Sequence, residues 1–332
     1  MKTKNLVQKL TPIGYGLLLI GLIAAPYLGA YPVFVMKLLC FALFAVAFNL
    51  LLGYTGLLSF GHAAFLGGAA YICGYAIKDV GATPEIGLLA GTASGALLGL
   101  VMGWFTIRRQ GIYATMITLA LAQMLFFACL QAPFTGGEDG LQGVPRGKLF
   151  GLLDLQSDLV MYYVTVVIAT AAFLLIVRTI HSPFGQVLKG IKENEARATS
   201  LGYDTNRFKL LAFVISAAIA GLAGSLQTLV LGFAKLSDVH WRMSGHVVLM
   251  TLVGGMGTLS GPLVGAVVVV ALENKIGDLG AWLARTTGVE WFSTLGQSVT
   301  IVTGLIFIVC VLAFRRGIMG ELIAWLQGRG KS

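Results

Sequence analysis

Charge is what this chain has least of. Of its 332 residues, only 11% are Asp, Glu, Lys or Arg, against roughly 25% in soluble proteins. The apolar fraction is 57% with glycine left out, where soluble chains reach roughly 45–50% with glycine included. The mean hydropathy is +0.86. A surface so apolar cannot be hidden from water, which excludes a soluble globular domain and makes lipid the solvent. Cysteine is also scarce. Cys40, Cys73, Cys129 and Cys310 all sit inside apolar runs, where a thiol packs as a small hydrophobe. No pair spacing suggests a disulfide or a metal site.

Catalytic and energy-coupling motifs are missing as well. A phosphate loop needs Gly-x-x-x-x-Gly-Lys-Ser/Thr, but Gly147-Lys148 is followed by Leu149 and preceded, five places back, by Gln142. No Gly-x-Ser-x-Gly elbow or His-Glu-x-x-His helix occurs, which leaves a membrane hydrolase without support. The fourteen carboxylates read as lying in loops or at span ends, Glu273 being the deepest. Proton-coupled carriers keep such groups inside the membrane, so a secondary carrier is disfavoured.

What is present is a series of long apolar runs. A span needs about 20 apolar residues, and runs near 12–30, 32–52, 62–80, 86–107, 112–132, 159–179, 209–231 and 295–314 qualify. A ninth region, 247–273, is broken by Gly254, Gly255, Gly257, Gly261 and Pro262, and reads as two short spans or a re-entrant hairpin. The first run follows Lys2, Lys4 and Lys9 like a signal peptide; with so many spans after it, a retained helix is the better reading.

The net charge of +9 marks topology rather than nucleic-acid binding, because the basic residues cluster beside apolar segments. Arg108 and Arg109, the group Arg178, Lys189, Lys192 and Arg197, and Arg315 and Arg316 all fall inside if 247–273 crosses twice or not at all. The expected fold is an all-α integral membrane protein, a polytopic helical bundle forming one domain over 1–332. About ten spans are expected, or eight plus a re-entrant pair, with both termini cytoplasmic. An external loop covers 133–158 and a cytoplasmic loop covers 180–208.

Three features carry function or packing. Gly87, Gly91, Gly95, Gly99 and Gly103 recur every four residues, a small-residue stripe for close helix approach. Two segments, 53–62 and 254–262, share Gly-x-Leu-Ser at 56–59 and 257–260. Paired glycine-broken segments in the two halves of a transporter point to its pathway, which makes Asn49, Thr55, Ser59, His62, Gly257, Thr258 and Ser260 pathway candidates. Asn49 and Gln123 are interhelical hydrogen-bond formers first. His62, taken alone, is a satisfied or interfacial histidine more often than a ligand. The third feature is the cytoplasmic loop. Pro183 opens a helix, 186–200 holds good helix formers, Gly202 stops it, and Asp204 or Thr205 caps the next. A short helix of mixed charge between two spans suits docking of a cytoplasmic partner.

The chain resembles a known family. The run NLLLGYTGLLSFGHAAFLGGAAY at 49–71 is similar to the first signature of the LivM branch of branched-chain amino acid ABC permeases. FTGGEDGLQGVPRG at 134–147 resembles its external loop. GQVLKGIKENEARATSLGYDTNRFKLLAFVISAAIAGLAG at 185–224 resembles its coupling loop and following helix, and GGMGTLSGPLVGA at 254–266 completes the match. The resemblance implies a permease subunit, not an enzyme, in a bacterial inner membrane. It implies a second related permease subunit, two cytoplasmic ATP-binding subunits that hold ATP and Mg, and a periplasmic solute-binding protein. This chain would carry no cofactor of its own. Glu193, Glu195, Ala196, Arg197 and Gly202 would dock the ATPase, although Arg197 departs from the strict Glu-Ala-Ala pattern. The implied solutes are leucine, isoleucine and valine; relatives that move urea, short amides or aromatic acids keep those alternatives open.

Overall fold

The computed structural model describes residues 31–109, 111–287 and 317–328, with 16, 19–27, 29, 304–305, 307–308 and 312 besides. In chain order the helices are α1 (Pro32–Asn49), α2 (His62–Lys78), α3 (Pro84–Thr106), α4 (Ile112–Gln131), α5 (Asp158–His181), α6 (Pro183–Glu193), α7 (Glu195–Ser200), α8 (Thr205–Leu231), a single turn α9 (Leu236–Val239), α10 (Trp241–Gly254), α11 (Gly261–Thr287) and α12 (Gly317–Gly328). Proline opens α1, α3 and α6, where its missing N–H removes a donor the helix could not satisfy anyway.

Among the described residues, five helical stretches are long and apolar enough to cross a membrane: Pro32–Thr55, Pro84–Thr106, Ile112–Gln131, Asp158–His181 and Thr205–Leu231. The expected run at 62–80 forms a helix of 17 residues, a little short of a full span. The broken region 247–273 resolves into α10 and α11, packed on each other with residues 255–260 between them. It is a helical hairpin rather than one continuous helix. The expected run at 295–314 lies almost wholly outside the described residues.

α2 and α8 form the centre, wrapped by α1 and α3. α4 and the outer face of α3 leave Leu97, Trp104, Met116, Met124 and Phe127 more than half exposed, the surface expected where lipid is the neighbour. The glycine stripe on α3 does what its spacing predicts. A Cβ on Gly95 would stand 2.8 Å from the Ala217 carbonyl oxygen, one on Gly91 would overlap the Ser225 hydroxyl, and one on Gly99 would overlap Ala217. α3 thus lies backbone to backbone on α8. Gly87 leaves room for the Ile77 side chain of α2, which a Cβ there would overlap.

The 133–158 loop is pinned at one end of the bundle. Leu141–Gln142 (β1) pairs antiparallel with Phe233–Ala234 (β4), and Lys148–Leu149 (β2) pairs with Leu153–Asp154 (β3). Arg146 bridges Asp158 at 2.5 Å and donates to the Val230 carbonyl at 2.8 Å, anchoring the loop to the start of α5 and the end of α8.

Candidate functional site

At the other end of the bundle lies the 180–208 loop. Ser182 caps α6 by accepting from the Gly185 N–H. The helix expected over 186–200 is in fact two. Asn194 takes extended backbone angles (φ −158°, ψ 99°), and its side chain accepts from the Arg197 N–H at 3.0 Å, ending α6 and capping α7. Asn gains more as a cap than in a helix interior, and that local preference wins over the good helix formers around it. Gly202, at φ +89°, turns the chain after α7, and Asp204 caps α8 by accepting from the Arg207 N–H at 3.2 Å.

The two short helices enclose a groove of about 880 Å³, lined by Gln186, Val187, Gly190, Glu193, Arg197 and Leu201 among others. Glu193, Ala196, Arg197 and Gly202 are exposed beside it. Glu195 is different. Its carboxylate turns inward, 2.5 Å from Lys209 Nζ, and accepts from the Thr205 hydroxyl at 3.4 Å. Lys209 is only 3% exposed and sits near the positive N-terminal end of α8, where a cation is disfavoured. Glu195 compensates both penalties. The sequence reading missed Lys209, because a lysine at the start of an apolar run looks like a surface anchor.

The groove is joined to the glycine-broken segments. α1 does not stop at Asn49 but widens into a π-helical turn over Leu50–Thr55, closed by Gly56 at φ +78°. Such turns free backbone carbonyls and collect at functional sites. Lys192 of α6 donates to the Gly53 carbonyl at 2.7 Å, and Lys189, one turn earlier, lies 5.7 Å from the Tyr54 ring centre. Neither lysine stood out in the sequence beyond its value for topology, though their spacing of three puts both on one helix face.

From the same turn, Asn49 reaches the α10–α11 break. Its amide donates to the Thr258 carbonyl at 2.8 Å, and its Oδ1 accepts from the Gly257 N–H at 3.0 Å. The two segments paired by their Gly-x-Leu-Ser pattern are therefore in contact, clamped by one buried amide. Glycine is required at both ends of the clamp. A Cβ on Gly53 would overlap Asn49 Oδ1 and approach the Gly257 nitrogen at 2.8 Å, while Gly257 itself stands at φ +79°. Thr258 caps α11, accepting from the Gly261 N–H at 3.0 Å.

The remaining pathway candidates divide. Thr55, Ser59 and His62 are all buried within this chain, at 3%, 1% and 0% exposure. Thr55 donates to the Leu50 carbonyl, and Ser59 accepts from the Gly61 N–H. His62 Nε2 lies 2.9 Å from the Ser216 hydroxyl, with Phe48 and Phe65 edge-on to its ring, while its buried Nδ1 has no partner among the described residues. Ser260 is half-buried in the break. Gln123 is half-buried on α4, and its Oε1 has no partner among the described residues.

The carboxylates were expected in loops or at span ends, Glu273 being the deepest. Glu273 lies well inside α11, and Asp238 is only 7% exposed, accepting from Gln227 Nε2 at 3.1 Å. Burial pushes the Asp238 carboxyl up to about 6, against the opposing pull of Lys235 and Lys37. Hydropathy alone placed Glu273 at an edge, because α11 runs fourteen residues past the apolar stretch, to Thr287, while Asp238 sits in the turn α9 between long helices.

A bundle of long apolar helices, with a grooved two-helix loop wired to a glycine-broken core, is the architecture of a membrane permease. The chain belongs to the family described as branched-chain amino acid transport system / permease component, whose model matches residues 33–312. It is similar to the high-affinity branched-chain amino acid transport system permease protein LivM of Escherichia coli, 26% identical over 73% of this chain and 62% of that protein. The LivM of Salmonella typhimurium is 25% identical over 80% of this chain and 68% of its own length. The ribose import permease RbsC of Haemophilus influenzae is 23% identical over 57% of this chain and 58% of its own. The chain thus spans under two thirds of the length of the first of these. No solved structure matches it.

Proposed function

We propose that this chain is the transmembrane permease subunit of an ATP-driven importer of branched-chain amino acids in a bacterial inner membrane. Two LivM relatives of that printed function, matched over most of the chain, support the solute class. In this reading a second related permease completes the pathway, two cytoplasmic ATP-binding subunits supply ATP and Mg, and a periplasmic binding protein delivers solute. The chain crosses the membrane about ten times with both ends cytoplasmic.

The observation that carries the reading is the Lys192–Gly53 bond. An ATPase subunit seats in the groove between α6 and α7, with Glu193 and Arg197 making charge-assisted contacts. Closure of the ATPase dimer displaces α6. Lys192 passes that movement to the π turn, and Asn49 passes it to residues 257–258, the only glycine-broken place in the α10–α11 hairpin among the described residues. The bundle then changes between outward and inward access as a two-state assembly biased by its ligands.

Reconstitution tests this. Proteoliposomes holding both permeases, both ATPases and the binding protein are expected to accumulate leucine only with ATP. Lys192→Met is expected to keep ATP hydrolysis but to lower leucine import per ATP about tenfold, the loss of one charged hydrogen bond in the switching step. Accumulation by the permeases alone on an ion gradient, or full coupling in Lys192→Met, would overturn the proposal.

A further inference from the structure

Away from the coupling loop, three helices bring ionisable groups to one place. Lys37 stands on the second turn of α1, His246 on the second turn of α10, and Glu273 in the middle of α11. His246 Nδ1 is 3.4 Å from Glu273 Oε1, with the two side chains 22% and 33% exposed. The Lys37 ammonium lies 5.9 Å from the centre of the Phe41 ring, which lies 6.3 Å from the His246 ring. Among the described residues no carboxylate lies within 4.0 Å of Lys37. A cation and a carboxylate thus flank the same Phe41–His246 pair without an ion pair between them.

Hydrocarbon cannot be the neighbour of this face. Ionisable groups at membrane depth turn to a protein partner or to water, and they mark solute paths. Polar atoms elsewhere in the bundle are also under-satisfied. Tyr71, 1% exposed, has a hydroxyl with no partner, and so does Gln227 Oε1 beside Asp238. Unpaired buried polar atoms are rare enough to call for water or a ligand.

We propose that Lys37, His246 and Glu273 line the pathway and hold the charged backbone of an α-amino acid. Lys37 takes the carboxylate and Glu273 the ammonium. His246 keeps the Glu273 carboxylate in place, and the Phe41 ring is the apolar wall beside them. The inference rests on the amino-acid importer reading and narrows it. Urea and short amides have no use for two opposite charges, and an aromatic acid would use only Lys37.

The test uses the complete complex, purified through a tag on this chain. A diazirine-bearing leucine is photolysed on it without the binding protein, and leucine uptake is measured after reconstitution with it. Label is expected on the helices carrying Lys37, His246 and Glu273. Unlabelled leucine should compete it away; isoamylamine and isovalerate, each lacking one charge, should not. Lys37→Met and Glu273→Gln are expected to lose the label and to import leucine about tenfold more slowly, while Lys37→Arg stays within about threefold of wild type. Label elsewhere in wild type overturns the site, as does wild-type uptake in both variants. So does slow uptake with the label unchanged, which would mark the groups as structural. Wild-type complex that imports no zwitterionic amino acid overturns the importer reading itself, a different result from any of these.

Discussion

Replacing Glu195 separates its internal role from any docking role. The carboxylate holds Lys209, which is 3% exposed against 29% for Glu195. Removing one partner of a buried pair leaves the other charge uncompensated, at a cost of roughly 3–5 kcal/mol. Because Glu195 keeps some contact with water, the expected loss for Glu195→Gln is nearer about 2–3 kcal/mol. Lys209→Met should cost far less, about 0–1 kcal/mol, because the buried group becomes apolar and the remaining carboxylate can hydrate. The double variant should lie close to wild type, so the cycle yields a coupling energy of about 2 kcal/mol. The assay is thermal unfolding of the detergent-solubilised chain without ATPase subunits, followed by ATPase capture on the same samples. Equal single-variant losses that simply add would refute the reasoning. A Glu195→Lys variant, the obvious probe of docking, would instead set a second ammonium beside Lys209 and damage the fold before docking could be read. Glu193→Lys and Arg197→Glu, both on exposed positions, are the variants that report docking alone.

Asn49→Ala breaks both hydrogen bonds to residues 257–258 and should cost about 2–4 kcal/mol in unfolding experiments; a change below about 1 kcal/mol would show that the clamp is dispensable. Gly95→Val should prevent α3 from seating on α8 and reduce folded yield. Gly190→Ala, where an added Cβ meets nothing within 4 Å, should be neutral or stabilise α6 by up to about 1 kcal/mol, and comparable expression of the two variants would contradict the packing argument. Asp238 gives a pH signature. Its folded-state value, raised by burial to about 6, exceeds the ordinary value near 4. Its stabilising contribution is therefore full below about pH 4 and lost as pH rises through about 6, on the order of 2–3 kcal/mol. Asp238→Asn should unfold at a higher temperature than wild type at pH 8, with the difference gone near pH 4; an unchanged difference across that range would refute it.

The membrane class was legible because it depends on averages, and 57% apolar residues leave no other solvent. The glycine stripe was legible because a four-residue period maps onto one helix face whatever the neighbour is. The Gly-x-Leu-Ser pairing was legible as a pattern, but its cause was not: Asn49 spans more than two hundred residues to meet Gly257 and Thr258, and nothing local announces such a contact. Polar residues in apolar runs were harder. Thr55, Ser59 and His62 looked like pathway groups because they interrupt hydropathy; Thr55 and Ser59 bond within the chain, and His62 bonds Ser216 through one ring nitrogen only. Lys37 was passed over as an isolated basic residue, and Glu273 was taken for an end marker. Their significance depends on three helices converging from distant parts of the chain, which a scan along one helix at a time cannot show. The difference lies in exposure. A buried polar group with its partners in hand serves the fold, whereas ionisable groups left half exposed at membrane depth await something outside the chain. By that criterion the proposed pathway face belongs with Lys37, His246 and Glu273, and the Asn49 clamp with the machinery proposed to move it.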